Sequence, residues 1–316
     1  MIDFPVFDLH CDTSDSLAGL NGAAFSKLRS NNGHIDLMRA SSLPGYAQCF
    51  ACFTTITDTY DPKARFNLKL DAVLRELEAN SGLVRQALSA DDVITNMNQG
   101  FMSGILTIEG PAGFGFDPEM LGYLYTVGFR ASTLGWNELN PLTGSHLTGG
   151  GLSELGREYV IEAQRVGMLI DVSHISDEGF WDIIEVTQAP IIASHSNSRA
   201  MCNVTRNLTD EMFLCICDTG GVAGINLYPD FLGDDVTLDT VCDHIIHFLE
   251  LDPEGTHIAL GGDLDGIDRL PNGFNGVQDY SLLSARLLER GLSEQLVMNI
   301  YWNNALGVFR DAVPKH

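Results

Sequence analysis

Eight short apolar runs recur along the chain, at residues 4–9, 47–55, 103–108, 126–132, 167–172, 190–194, 221–227 and 258–261. Amphipathic stretches of helical length stand between many of them, at 62–79, 153–165, 177–186, 209–218 and 238–251. The runs are rich in Ile, Val, Leu and Ala, whereas the longer stretches space their apolar residues three and four apart, so the pattern predicts strands alternating with helices. An unbroken alternation with no linker rich in Pro, Ser or charge predicts a single α/β domain over residues 1–316 with a parallel sheet. Eight strands in a chain of this length point to a closed (β/α)8 TIM-like barrel with insertions. An open, doubly wound sheet is the alternative, but no Gly-x-Gly-x-x-Gly joins the first run to a helix. Residues 14–42 and the Gly- and Thr-rich 145–151 read as loops at the rim, and 293–309 reads as two helical pieces, broken near Asn303 and Asn304, that close the barrel.

The formal charge of −24, with only 18 Lys and Arg, would repel phosphate backbones and anionic membrane surfaces, which argues against nucleic-acid or membrane partners. Seven cysteines without framework spacing argue against a disulfide scaffold and for a reducing, cytoplasmic setting. Cys49 and Cys52 lie within an apolar run and read as core residues rather than a redox pair. The opening MIDFPVFDLH carries no basic region ahead of its apolar run, so no secretory signal is expected, and no apolar stretch is long enough to span a bilayer.

Candidate chemistry gathers where the apolar runs end. From Gly167 to Asn207 one pattern occurs twice: two apolar runs close on Ser173-His174 and Ser194-His195, with one helical stretch between them. In a parallel barrel both imidazoles would point into the same mouth. The first run ends in Asp8-Leu9-His10-Cys11-Asp12, where His-x-Asp spacing along an extended chain puts His10 and Asp12 on one side and turns Cys11 away. Another ends in Glu109-Gly110-Pro111, and the last in Gly262-Asp263-Leu264-Asp265-Gly266. Taken singly, each has a plain explanation as a loop histidine, a turn or a cap. Jointly they place three carboxylates and three imidazoles at one end of a barrel, which is costly unless cations compensate them.

Two ions fit this set better than one. His10, Asp12 and Glu109 can hold the first, and His174 and His195 the second, with Glu109 bridging. Ions roughly 3.5 to 4 Å apart can share a bridging water or hydroxide that attacks a carbonyl. Nitrogen and oxygen donors suit two zinc ions, with manganese or cobalt as substitutes. Asp263 is then the general base and the proton donor to a leaving amine. Arg206-Asn207 adds a guanidinium suited to a substrate carboxylate, although Arg206 could instead cap a helix or pair with Asp210.

These stretches resemble the membrane dipeptidase family, the renal dipeptidase-like peptidases of the metal-dependent amidohydrolase superfamily. The likeness rests on DLHCDTSD at 8–15, TIEGP at 107–111, GMLIDVSHISDEGFWDII at 167–184, IIASHSNSRAMCNVTRNLTD at 191–210, GGVAGINLYP at 220–229 and ALGGDLDGI at 259–267. It implies a (β/α)8 barrel with a binuclear zinc centre on His10, Asp12, Glu109, His174 and His195, the glutamate standing where many superfamily relatives use a carboxylated lysine. It also implies Asp263 as acid/base, Arg206 on the carboxylate end of a dipeptide, and Tyr228 on the pocket wall. Family members cleave dipeptides, often with a D-residue at the carboxyl end, and some open carbapenems or hydrolyse dehydropeptides. They are often dimers, so a homodimer is expected.

One departure concerns a histidine that helps polarise the scissile carbonyl in mammalian-type members: STLGWNELNP at 132–141 places Trp136 there, which leaves more of that polarisation to the metals. The missing signal and apolar tail argue against a lipid-anchored form. The alternatives are an amidohydrolase acting on N-acyl amino acids or lactones, and a catalytically silent metal-binding scaffold.

Overall fold

The computed structural model describes residues 3–20 and 26–312. Its strands are β1 (Val6–Cys11), β2 (Tyr46–Phe53), β3 (Val84–Gln86), β4 (Met102–Glu109), β5 (Phe129–Thr133), β6 (Leu169–Asp171), β7 (Ile191–Ala193), β8 (Val222–Ile225) and β9 (Ile258–Leu260). All pair in parallel, and eight of them close a ring in the order β1, β2, β4, β5, β6, β7, β8, β9 and back to β1. The ninth, β3, pairs with the first residues of β4, on the edge that β5 takes further along. The closed barrel expected from the alternation is therefore present, with one short extra strand outside it.

Alternating side chains divide the apolar residues into two cores. Phe7, Leu9, Cys49, Ile105, Leu169, Ile192 and Val222 fill the barrel interior. Val6, Phe50, Leu106, Ile170 and Ile191 face the helical layer. Cys49 and Cys52 are buried, as expected of core residues, Cys11 is buried as well, and burial raises the Cys52 thiol to about 12. The carboxyl-terminal helix sends Trp302, Leu306 and Phe309 into the barrel core, where Phe7 meets Trp302 at 5.9 Å and stacks on Phe309 at 5.3 Å between ring centroids. Removing so much buried aromatic surface costs about 3–5 kcal/mol. Trp302→Ala should accordingly lower the urea midpoint of unfolding clearly, and an unchanged midpoint would show that this helix does not close the barrel.

Helices at Pro62–Ala79, Asp177–Val186 and Leu238–Leu251 occupy the stretches expected. Glu154–Val166 and Asp210–Asp218 begin one residue later, because Ser153 and Thr209 serve as caps, accepting the N–H groups of Gly156 and Met212. Three expectations need correction. Thr126 and Val127 end a helix, Met120–Val127, and only after Gly128, at φ 122°, does β5 begin. A continuous apolar run does not separate helix from strand by periodicity. The final segment is not broken at Asn303 and Asn304: a π-helical turn, Asn299–Asn303, joins Glu294–Met298 to Asn304–Asp311. There Asn304 Nδ2 donates to the carbonyls of Gly255 and Ile258, both at 2.8 Å, so it anchors the helix to the base of β9. The rim segment 14–42 includes short helices, Thr13–Ala18 and Leu37–Ala40, and its residues 21–25 lie outside the described residues.

Candidate metal centre

Each candidate ligand stands at or just past the carboxyl end of a barrel strand. The pairing register of β1 with β2 shifts between Asp8 and Cys11, the irregularity that carries His10. Asp12 does not continue the strand as the His-x-Asp spacing suggested. At φ −104° and ψ 21° it opens the helix Thr13–Ala18, and the turn, not strand alternation, brings its Oδ2 to 3.4 Å from His10 Nε2. Glu109 ends β4. His174 and Asp263 adopt left-handed backbone conformations, φ 71° and 57°, that non-glycine residues seldom take. Such strain concentrates at functional sites.

The side chains converge. Glu109 Oε2 lies 3.5 Å from His10 Nε2, while its Oε1 lies 3.1 Å from His174 Nε2 and 3.8 Å from His195 Nε2. Asp263 Oδ1 is 3.8 Å from His10 Nε2, and His174 Nε2 is 3.0 Å from His195 Nε2. All are nearly sealed from solvent except the edges of Asp12 and Asp263. Burial pulls the His10 pKa down, but the Glu109 and Asp12 carboxylates lift it well above the usual value. Burial and the Arg206 charge hold His174 down to about 3, and burial with His10 nearby depresses His195 strongly. Burial raises Asp263 to about 7, with Asp12 and Glu109 adding to the rise against the pull of His10.

The donor set fits divalent cations. Two donors each about 2.1 Å from a tetrahedral ion stand roughly 3.4 Å apart, close to the separations here. His174 Nδ1 faces Asn137 Oδ1 at 2.9 Å, and His195 Nδ1 faces Ser194 Oγ at 2.6 Å. The Nδ1–H that this gives His174 leaves its Nε2 lone pair turned into the cluster, and such an outer partner is the usual way a ligating histidine is oriented. Among the described residues the buried Oδ1 of Asp12 has no hydrogen-bond partner, an open valence that a cation would satisfy.

A cavity of about 250 Å³ opens beside the cluster, lined by Trp136, Asn137, His174, Tyr228, Phe231 and Asp263 among others. Trp136 packs edge-on against Phe53, with ring centroids 5.0 Å apart. Arg206 is 3% exposed, donates through Nη1 to Ser196 Oγ at 2.6 Å, and leaves Nε and Nη2 buried without partners among the described residues. Its guanidinium carbon lies 5.6 Å from the centre of the Phe231 ring, which borders the cavity. Burial lowers its pKa to about 10 against the attraction of Asp263. It neither caps the following helix, which Thr209 does, nor pairs with Asp210, which meets His247 at 2.8 Å.

Asn207, expected beside a substrate, is not among the cavity residues. Its Nδ2 donates to the carbonyls of Phe231 at 2.8 Å and Cys202 at 2.9 Å, so its amide pins the loop that carries Arg206. Sequence reasoning missed Asn137, Ser196 and Asn226, the last donating through Nδ2 to Asp263 Oδ2 at 3.0 Å. Asn226 and Ser196 stood in the GINLYP and IIASHSNS stretches, but nothing in sequence said which side chain each would meet.

Fold and donor set together define a (β/α)8 barrel with a candidate metal centre at its mouth. The chain belongs to the membrane dipeptidase family, peptidase family M19, whose family model matches residues 1–314. An uncharacterized dipeptidase of Schizosaccharomyces pombe is 35% identical over 216 residues, 66% of this chain and 53% of that one, so the chain spans about half the length of that relative. Among solved structures, a metallopeptidase from Rhodobacter sphaeroides liganded with a phosphinate mimic of the dipeptide L-Ala-D-Ala superimposes with a TM-score of 0.89 at 24% identity, covering 98% of this chain and 100% of that one. The dipeptidase AC, a metallopeptidase of family M19, superimposes with a TM-score of 0.88 at 26% identity, covering 98% and 99%.

Proposed function

We propose that this chain hydrolyses the peptide bond of dipeptides, including those with a carboxyl-terminal D-residue, using two zinc ions. The observation that carries the reading is the convergence of His10, Asp12, Glu109, His174, His195 and Asp263 at one barrel mouth, close to a buried guanidinium with two unpaired nitrogens. His10 and Asp12 would hold one ion and His174 and His195 the other, with one oxygen of Glu109 turned toward each pair. Bound ions supply Lewis acidity toward the scissile carbonyl and a lowered pKa for water. Asp263, fixed by Asn226, takes the proton from the attacking water and returns it to the departing amine. Trp136 and Tyr228 wall the substrate. The dipeptide mimic bound by the Rhodobacter sphaeroides relative supports a substrate of this size and of L,D stereochemistry. A cytoplasmic location away from membranes belongs to the same reading, supported by the odd cysteine count and the acidic charge, and the homodimer rests on the family resemblance alone.

The test is hydrolysis of a panel of L,L- and L,D-dipeptides by metal-loaded protein beside a chelated control. Chelator-sensitive cleavage is expected, and none in either sample would move the substrate to another amide or ester. Arg206→Met extends the test. Truncating one partner of a buried, charge-assisted pair costs about 2–5 kcal/mol, so kcat/KM for a dipeptide should fall at least about 30-fold. For the dipeptide's carboxyl-terminal amide the wild type and the variant should differ little. Equal losses on both substrates would remove Arg206 from carboxylate recognition.

A further inference from the structure

Two buried aspartates outside the ligand set, Asp8 on β1 and Asp171 on β6, repeat one hydrogen-bond pattern on opposite sides of the barrel. Asp8 Oδ1 accepts the N–H of His10, two residues on, at 2.9 Å and that of Gly262, next to β9, at 3.2 Å. Asp171 Oδ1 accepts the N–H of Ser173, two residues on, and that of Ser194, next to β7, each at 2.9 Å. The first bond in each pair fixes the backbone at or immediately before a ligand, His10 or His174. The second fixes the residue immediately before the cluster side chain of the neighbouring strand, since Gly262 precedes Asp263 and Ser194 precedes His195. One carboxylate oxygen on each side therefore spaces two functional strand ends.

Both aspartates are almost fully buried, at 0% and 4% exposure, and a carboxylate is costly to bury for strand pairing alone. What it adds is a charge-assisted bond, shorter and stronger than one to a neutral acceptor. The surroundings of Asp8 are shaped to the same end. Tyr280 donates its hydroxyl to Oδ2, and a Cβ on Gly262 would collide with that hydroxyl while standing 3.1 Å from Oδ2. The glycine therefore lets β9 approach Asp8.

We propose that Asp8 and Asp171 are positioning residues that each set one half of the metal centre: Asp8 the half built on His10 and Asp12, Asp171 the half built on His174 and His195. The inference rests on the two-ion reading above. Its test is a Co²⁺ titration of the metal-free protein followed by visible absorption, with Asp12→Ala and His195→Ala as references that identify which binding event belongs to which half.

Outer partners of metal ligands typically carry about 10- to 100-fold in metal affinity. Asp8→Ala should weaken the event missing in Asp12→Ala by about tenfold or more and leave the other within about twofold, and Asp171→Ala should do the reverse. Asp8→Asn and Asp171→Asn keep an acceptor oxygen and the side-chain shape, so they carry the test where an alanine chain does not fold. A smaller weakening confined to the same event is expected of them. Equal weakening of both events by each variant, or no change in either, overturns the proposal, because a general loss of packing would not discriminate between the halves. A single event in the wild type overturns instead the two-ion reading on which it stands.

Discussion

Asp263→Asn is expected to lower kcat by roughly 10²- to 10⁴-fold, the range over which a positioned general acid/base contributes, while metal content stays at the wild-type level. The substitution suits the backbone. Asp263 sits at φ 57°, a region that asparagine tolerates better than most residues, so the loop can keep its path where alanine would be strained. It also suits the neighbours, because Asn226 Nδ2, now donating to Oδ2 at 3.0 Å, can donate equally to an amide oxygen. What is lost is the ability to take and return a proton. Burial raises the Asp263 carboxyl to about 7, with Asp12 and Glu109 pushing the same way, and bound cations would draw it back down. A carboxylate held at this spot by Asn226 can accept a proton from attacking water and release it to an amine. Near-normal turnover with both metals present would show that the proton travels by another route. A loss of metal along with activity would make Asp263 a ligand instead.

Much of this site was legible in sequence for a simple reason. His195 and Glu109 follow an apolar run directly, His174 and Asp263 one residue after one, and a parallel barrel gathers all such ends at one face whatever the details of packing. The barrel followed from the same alternation. The failures share a physical cause as well. Asp12 reaches the cluster through a helix start, which spacing along an ideal strand does not describe. Asn207 sits beside Arg206 in sequence, yet its amide is held by the carbonyl of Cys202 in its own loop and by that of Phe231 in the next, which spacing alone does not show. Asn137 and Asn226 were missed on the same account, since each acts on a side chain from another strand end, and Ser196 because its partner Arg206 folds back from ten residues further along the same loop. β3 has three residues of which one is buried, too little pattern to register.

Glu109→Gln should have the widest effect on the centre, because the two carboxylate oxygens of Glu109 face histidines of both halves. Its Oε2 lies 3.5 Å from His10 Nε2 and its Oε1 3.1 Å from His174 Nε2 and 3.8 Å from His195 Nε2. The residue is 3% exposed, so no solvent can replace the charge it provides. The neighbouring histidines hold the carboxyl well below its usual range against a large burial cost, which keeps it anionic and ready for cations at neutral pH. Glutamine preserves the shape, removes the negative charge and turns one of the two facing atoms into a donor. Neither half then has its full set. Lewis-acid stabilisation by a bound ion is worth several kcal/mol, and at about 1.36 kcal/mol per factor of ten its loss should lower kcat/KM by roughly 10³-fold or more. Unlike Asp263→Asn, this variant should lose metal, and excess Zn²⁺ in the assay should not restore the rate. Thermal melting gives a second readout. Ions that bind only the folded chain stabilise it by mass action, so chelation should lower the melting temperature of the wild type and leave that of Glu109→Gln nearly unchanged. A Glu109→Gln protein that bound two ions as tightly as the wild type would mean that the histidines and Asp12 suffice, and that the carboxylate between them is not the bridge.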